Sequence, residues 1–334
     1  ILRVDLSTGK TWVEQPDDAF YRRYMGGQGF IGYYLLKEVP KGADPLGPDN
    51  LLIFAPGVVS GYPIAGAGRS AVGGKSPMSG GYGEADMGGY FGAELKRAGY
   101  DAVVIRGQAE KPVYLWIKDG AVEIRSAEHL WGQKTEQTEE MIRQELGDKR
   151  VQCAMIGPGG EKMVSFACVM DGLKDAAGRT GLGAVMGSKK LKAVAARATK
   201  QQEVADPEAL KGLAKWMSDN WKEKAWGMHD LGTDGGLEGL SEFGALPTRN
   251  FQDGQFEGAH KITGTTLRDT IMIDRDHCYA CPIHCKRVVK VDDADYKVSP
   301  TYGGPEYETV GAFGSNCGID DLRALVLHMQ RRIR

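Results

Sequence analysis

The chain lacks any run approaching eighteen uninterrupted apolar residues, so nothing in it is expected to span a membrane. Its start, ILRVDLSTGK, lacks the basic-then-apolar pattern of a secretory signal. Charge of one sign is also missing. The balance of 42 Lys+Arg against 44 Asp+Glu, net −2, excludes the broad basic surface that nucleic-acid binding requires. Cysteine is scarce, six in 334 residues, too few for a disulfide framework. There is no internal repeat and no low-complexity tract. A cytoplasmic protein without membrane or nucleic-acid partners is expected. Its length exceeds the size at which a single core stops growing, which favours two domains.

Glycine, by contrast, is abundant: 47 of 334 residues, about twice the ordinary ~7%. It concentrates in runs such as GGQG, SGGYGEADMGG, GPGG and GRTGLGAVMG within the first 190 residues. Glycine permits close backbone approach and positive φ, so several such runs in one domain suit a polar cofactor pressed against exposed N–H groups. Arg69 and Arg179 stand inside two of these runs, AGAGRSAVGGKSP and DAAGRTGLG. A guanidinium offers fixed donors and permanent charge to a phosphate or planar heterocycle. Helices expected to start at Gly89 and Thr180 would add positive dipole ends toward an anionic ligand.

Local pattern predicts an α+β fold. Strands are expected in the hairpin LRVDL-STGK-TWVEQ, at LLIFAPG and DAVVIRG, in the hairpin VYLWIKDGAVEIR turning at Asp119-Gly120, and at VQCAMIG, VSFACVM and LKAVAAR. Helices are expected over Asp18 to Tyr24, Phe30 to Val39, Gly89 to Ala98, Thr135 to Leu146, and within TGLGAVMGSKK. The polar stretch TKQQEVAD, followed by a long helical pattern from Pro207 through Trp226, places a boundary near residue 200. The expectation is therefore a β-rich N-terminal base domain, residues 1–200, with two sheets and flanking helices, then a mainly α-helical domain, 201–334. A dinucleotide site is not expected, because GPGG after VQCAMI runs on to another apparent strand rather than a helix.

The second part carries Cys278, Cys281 and Cys285 in CYACPIHCK. C-x2-C-x3-C gathers three soft thiolates on a short stretch of backbone, which points to zinc or an iron–sulfur cluster. His277 or His284 could complete a Cys3His zinc site; the absence of a second C-x2-C knuckle leans toward a [4Fe–4S] cube. Lys286 and Arg287 would offset the charge of a thiolate-ligated cluster, or form a solvated basic pair. Glu306 and Glu308, in GGPEYET, are candidate proton-transfer groups, with a plain helix-start role as the alternative.

In this order, ILRVDLSTGK, YMGGQGFIGYYLL, AGAGRSAVGGKSPMSGGYGEADMGGYFG, AAGRTGLGAVMGSKKLKAV, CYACPIHC and GPEYET together resemble the tungsten-dependent aldehyde ferredoxin oxidoreductase family. The resemblance implies a bis-pterin tungsten or molybdenum cofactor on the base domain, beside one [4Fe–4S] cluster. It implies interconversion of an aldehyde and a carboxylate, with electrons passed through the cluster to ferredoxin or a small iron–sulfur subunit, and a homodimer as one assembly. One branch of the family instead resembles the catalytic subunit of benzoyl-CoA reductases, which act on an acyl substrate; a non-catalytic cofactor-binding remnant is a further alternative.

Carried over by position, Arg69 matches the arginine between pterin and cluster. Asp86, Met87 and Gly88 match a loop for pterin phosphates and a bridging magnesium, and Ala176, Gly178 and Arg179 match the second pterin loop. Cys278, Cys281 and Cys285 match three cluster ligands. Glu306 matches the acidic residue close to the metal, with Glu308 the fallback. Asp86 and Asp175 stand where the family often has Asn and Arg, so cations would have to offset them. The chain starts without methionine and stops at Arg334, ahead of the helical region expected to supply the fourth cysteine, so a partial chain is expected.

Overall fold

Arg3 and Asp5 alternate with Leu2 and Val4 on a strand whose four residues are all buried. That burial is sustained by pairing: Arg3 bonds Glu14 at 3.1 Å and also Glu38, while Asp5 takes Arg106 at 2.8 Å. Buried charges persist only where they are paired in this way. The computed structural model describes residues 1–333. They form two compact units, Ile1–Leu210 with Cys278–Ala280, and Lys211–His277 with Cys281 onward.

The first unit contains β1 (Leu2–Asp5), β2 (Lys10–Val13), α1 (Asp18–Tyr24), α2 (Gly27–Glu38), β3 (Leu52–Pro56), β4 (Ser70–Lys75), β5 (Tyr82–Met87), α3 (Phe91–Arg97), β6 (Val103–Arg106), β7 (Val113–Lys118), β8 (Ala121–Ser126), α4 (Thr135–Leu146), β9 (Gln152–Met155), α5 (Pro158–Glu161), β10 (Val169–Asp171), β11 (Asp175–Ala177), α6 (Leu182–Ser188) and β12 (Leu191–Arg197). Two six-stranded sheets result, ordered β2-β1-β6-β3-β4-β5 and β11-β10-β9-β12-β7-β8. Each is mixed, with one parallel pairing, β1 with β6 and β7 with β12.

The strand period explains the layers. Leu52 and Phe54 of β3 point into a core shared with Leu115 and Ile117 of the second sheet and with Phe91, Leu95, Leu182 and Val185 of α3 and α6. Ile53 and Ala55, on the opposite face of β3, meet Phe30, Ile31 and Tyr34 of α2. Both faces of the first sheet are thus covered. Gly73 sits where α2 presses on this sheet, and a Cβ there would come within 2.2 Å of the Ile31 side chain.

The second unit follows α7 (Pro207–Leu231), which starts in the first unit and is kinked at Ala225. It holds α8 (Leu237–Glu242), α9 (Gly264–Thr270), the two-stranded sheets β13 (Met272–Asp276) with β14 (Lys286–Val289) and β15 (Val291–Asp292) with β16 (Lys297–Val298), then α10 (Tyr307–Phe313) and α11 (Leu322–Ile333). Its core gathers Leu237, Leu246, Ile262, Leu267, Val289, Val310, Leu325 and Val326. No described helix is long and apolar enough to cross a membrane.

The α+β class, with a two-sheet N-terminal part and a largely helical remainder, is as the pattern predicts. Several segments differ. The run AGAGRSAVGGKSPMSGGYGEADMGG, expected as loops, forms the paired strands β4 and β5. Gly68, Gly73, Gly74 and Gly83 are dictated by close packing, whereas Gly66 and Gly80 serve positive-φ turns. VSFACVM contributes a strand only from Val169, and GPGG opens the short helix α5 rather than running on to a strand. The helices expected from Gly89 and Thr180 begin at Phe91 and Leu182 and have seven residues each.

Candidate functional site

In the first unit, the antiparallel register sets Ser70 against Met87 and Ala71 against Asp86. Arg69 and the pair Met87-Gly88 therefore lie at the same end of the β4–β5 ladder. The Arg69 carbonyl is fixed, accepting from the Ser60 hydroxyl at 2.6 Å and the Gly57 N–H at 3.3 Å. Arg69, Asp86, Ala176, Gly178 and Arg179 are all exposed, whereas Ser70, Met87, Gly88 and Ala177 are buried. Polar groups are thus offered outward from a rigid backbone.

Glu84 and Asp86 alternate on β5 and share a face. Burial, then the Asp86 charge, push the Glu84 carboxyl above its ordinary range; Gln28, donating at 3.2 Å, and Arg179 pull it back. Arg179 reaches this neighbourhood because β11 lies against β5 and because the Thr180 carbonyl accepts from the Ser76 hydroxyl at 2.8 Å. The structure thus brings the Asp86 and Arg179 loops together. Sequence reasoning missed Glu84, whose only signal was its i−2 spacing from Asp86 on a strand that was not anticipated.

Cys278 belongs to this unit as well. The Tyr279 N–H donates to the Gly89 carbonyl at 3.1 Å, and the Tyr279 hydroxyl to the Gly61 carbonyl at 3.0 Å. Tyr90 meets the Tyr279 ring edge-on at 6.3 Å. A Cβ on Gly68 would lie 2.9 Å from the Gly89 carbonyl, 3.1 Å from the Tyr279 nitrogen and 3.2 Å from the Cys278 Cβ. Only glycine lets Cys278 rest against the backbone next to Arg69.

In the second unit, β13 and β14 pair Asp276 with Lys286, so the cysteine run is the loop of a hairpin. Ala280 and His284 take positive φ, 53° and 52°, turning the chain twice within it. Cys281 and Cys285 are half-buried. Burial pushes the Cys285 thiol up, with Glu306 and Cys281 adding to the effect and Arg287 opposing it. His229 sits 2.6 Å from the Ile283 carbonyl through Nδ1. The His277 and His284 rings lie 4.3 Å apart, and burial, then His277 and His229, lower the His284 pKa.

Arg287 is not a solvated residue. It is 2% exposed, and its guanidinium donates to Asp234 at 3.0 Å, to the Cys285 carbonyl at 3.1 Å and to the Pro305 carbonyl, with Glu306 at 3.7 Å. Asp234 is fully buried; burial pushes its carboxyl up to about 7 against the pull of Arg287, with Glu306 and Glu308 adding their charge. Asp234 Oδ1 and Arg287 Nε are buried without hydrogen-bond partners. Glu306 holds the N-cap position of α10 without a side-chain capping bond. Its Oε2 accepts from the Thr233 hydroxyl at 2.6 Å, and the Thr233 oxygen in turn accepts from the Tyr307 N–H at 2.9 Å. Glu308 is exposed in the first turn of α10. Among the described residues, no three or more His, Cys, Asp or Glu side chains are drawn together as ligands of a single metal ion.

Two family models match the chain: the aldehyde ferredoxin oxidoreductase N-terminal domain over residues 1–198, and domains 2 and 3 of the same family over residues 208–331. The tungsten-containing aldehyde ferredoxin oxidoreductase of Thermococcus kodakarensis is 44% identical over 331 residues, covering 97% of this chain and 53% of that protein. The Pyrococcus furiosus protein of the same name is 42% identical over 97% of this chain and 53% of its own length. An aliphatic sulfonate oxidoreductase subunit of Pyrococcus furiosus is 36% identical over 98% of this chain and 54% of its own. Among solved structures, the active-site complex of a benzoyl coenzyme A reductase with 1,5-dienoyl-CoA superposes with a TM-score of 0.81 at 32% identity, over 99% of this chain and 52% of that one. The chain spans about half the length of the curated relatives it matches. With both family models together spanning nearly its whole length, the chain belongs to the aldehyde ferredoxin oxidoreductase family.

Proposed function

We propose that this chain is the cofactor- and cluster-bearing part of a tungsten pterin oxidoreductase that interconverts aldehydes and carboxylates. Supporting this reading above all is the juxtaposition of the Asp86 and Arg179 loops with Glu84, on a sheet edge whose backbone is buried and whose polar groups face out. The donor set fits a polyanionic pterin cofactor with a divalent cation. Arg69 and Arg179 supply fixed positive charge, and Glu84 and Asp86 supply oxygen ligands of the kind magnesium prefers. Cys278, Cys281 and Cys285 supply soft donors of the kind a [4Fe–4S] cluster takes.

When bound, the metal–pterin group supplies two-electron redox chemistry at the aldehyde carbon. This chain's residues hold and orient it and move protons. Oxidation of an aldehyde consumes one water and releases a carboxylate, three protons and two electrons. Glu306 is the residue to accept a proton as the water oxygen forms its bond to the carbonyl carbon. A cluster held by Cys278, Cys281 and Cys285 would supply one-electron transfer toward ferredoxin. Arg69, next to the Gly68 backbone that packs on Cys278, would bring positive charge toward a cluster bound there.

The likeness to the benzoyl coenzyme A reductase complex favours a second reading, reduction of an aromatic acyl-CoA. Anaerobic purification of the full-length protein tests both. The expected result is stoichiometric tungsten or molybdenum, four irons per chain, and aldehyde-dependent reduction of ferredoxin. Turnover of an acyl-CoA ring without aldehyde oxidation would replace the first reading by the second. Absence of both metals would remove each of them.

A further inference from the structure

Glu306 has two carboxylate oxygens in different circumstances. Oε2 is engaged by the Thr233 hydroxyl at 2.6 Å and faces the Arg287 guanidinium at 3.7 Å. Oε1 accepts no hydrogen bond from any described residue. The Thr233 hydroxyl has one proton, and the Tyr307 N–H already occupies it as an acceptor at 2.9 Å. Its proton is therefore directed to Glu306 and cannot be turned elsewhere without losing a bond. Behind it, Arg287 is immobilised by Asp234 and by the carbonyls of Cys285 and Pro305. The backbone on both sides of the carboxylate is fixed too, since Pro305 is tied to Arg287 and Tyr307 to Thr233.

From this geometry we infer that Thr233 is a positioning residue that locks Glu306 Oε2, so that proton transfer during aldehyde oxidation passes through Oε1 alone. The inference rests on Glu306 being the proton-transfer group. In the step, the O–H bond of the attacking water breaks as its oxygen bonds to the aldehyde carbon, the C=O π pair moves onto the carbonyl oxygen, and the proton goes to Oε1. Oε2 stays hydrogen-bonded throughout, so the carboxyl keeps one orientation. A carboxylate that could rotate would present either oxygen and lose the near-attack geometry that makes proton transfer fast.

Thr233 is exposed, so its substitution spares the core. In the full-length holoenzyme, Thr233→Val removes the hydroxyl with little change of shape. The expected outcome is a kcat lowered about tenfold or more, with KM, metal content and cluster EPR unchanged. Thr233→Ser restores kcat. A second readout is the infrared carboxylate band of Glu306, identified by its loss in Glu306→Gln and recorded at one pH without substrate. Thr233→Val shifts this band, because the hydrogen bond to Oε2 is lost; Thr233→Ser leaves it in place. If Glu306→Gln turns over normally, the assignment of Glu306 itself is overturned. If Glu306→Gln is inactive while Thr233→Val matches wild type in kcat and in the infrared band, the positioning role alone is overturned.

Discussion

Arg287 and Asp234 form a salt bridge of 3.0 Å in which neither side chain is more than 1% exposed. The pair joins distant parts of the second unit: Asp234 precedes α8, whereas Arg287 lies on β14, directly after the cysteine run. Through the same guanidinium, the carbonyls of Cys285 and Pro305 are fixed. A cation removed from water at such a site requires several acceptors to offset its lost hydration, and Arg287 has them. Its position ties the Cys285 backbone to the segment before Glu306 within the second unit.

The buried carboxylate gives a pH signature. Asp234 is raised from 3.8 in the unfolded chain to about 7 in the fold, so the folded state binds its proton more tightly. Its contribution to stability is fully present below about 4 and is lost as pH rises through about 7. Asp234→Asn does not titrate. The stability of wild type minus that of Asp234→Asn, from urea unfolding at a series of pH values, is therefore expected to fall across that window and flatten above it. A difference that grows with pH would show that Arg287 holds Asp234 charged throughout.

Close approach around Cys278 predicts a size limit at Gly68. Gly68→Ala forces a methyl against the Gly89 carbonyl, the Tyr279 nitrogen and Cys278, and overpacking of this kind costs roughly 1–3 kcal/mol. The neighbours that must give way include Cys278, the proposed cluster ligand, so iron content and cluster EPR should fall with stability. Gly178→Ala is the matched control, since a Cβ there meets nothing within 4 Å and its φ is unexceptional. It should unfold like wild type, and equal iron loss in both variants would detach the effect from the Cys278 contact.

Much of this was legible in the chain. Both hairpins flanking the first sheets, the helix over Thr135 to Leu146 and the strand LKAVAAR follow local periodicity and turn chemistry, and Asp119 and Gly120 do take the positive φ of their turn. Strands β4 and β5 were not legible, because Gly73 and its neighbours report what packs on them, not a backbone preference, and α2 is what packs there. The polar side of the candidate site escaped for a related reason. Asp234 lies in GTDGG, which has the composition of a surface turn, and nothing local announces that Arg287 will bury it. Pairing between residues so far apart in sequence exists only once the second core has formed.

The two glutamates before and within α10 should separate sharply. Glu306 is held by Thr233 beside Arg287, whereas Glu308 is exposed in the helix's first turn. Glu306→Gln is expected to lower kcat by about 10²–10⁴, the usual worth of a positioned acid or base. Glu308→Gln should change kcat less than threefold and cost roughly 0.3–1 kcal/mol through the lost charge at the helix start. Steady-state kinetics and thermal unfolding of the full-length variants measure both, and comparable kcat losses would mean that Glu308 shares the proton work.

Asp86 and Arg179 carry opposite charge on one sheet edge and should affect cofactor loading in opposite ways. Arg179 lowers the Glu84 carboxyl while Asp86 raises it, so the edge is a local balance of two carboxylates against one guanidinium. An anionic pterin entering there is repelled by Asp86 unless a cation intervenes, and is drawn by Arg179. Arg179→Ala is expected to reduce tungsten and pterin content per chain while leaving iron unchanged, because the cysteine loop is fixed by other residues. Asp86→Asn removes the repulsion and, on the proposed reading, a magnesium ligand together. It should retain pterin and tungsten but lose magnesium, and its activity should become insensitive to chelation of magnesium by EDTA. Elemental analysis of the anaerobically purified variants decides the matter. If Asp86→Asn keeps its magnesium, Glu84 or the cofactor's own phosphates hold the ion without Asp86; if it loses tungsten along with magnesium, the cation is what binds the pterin to this edge.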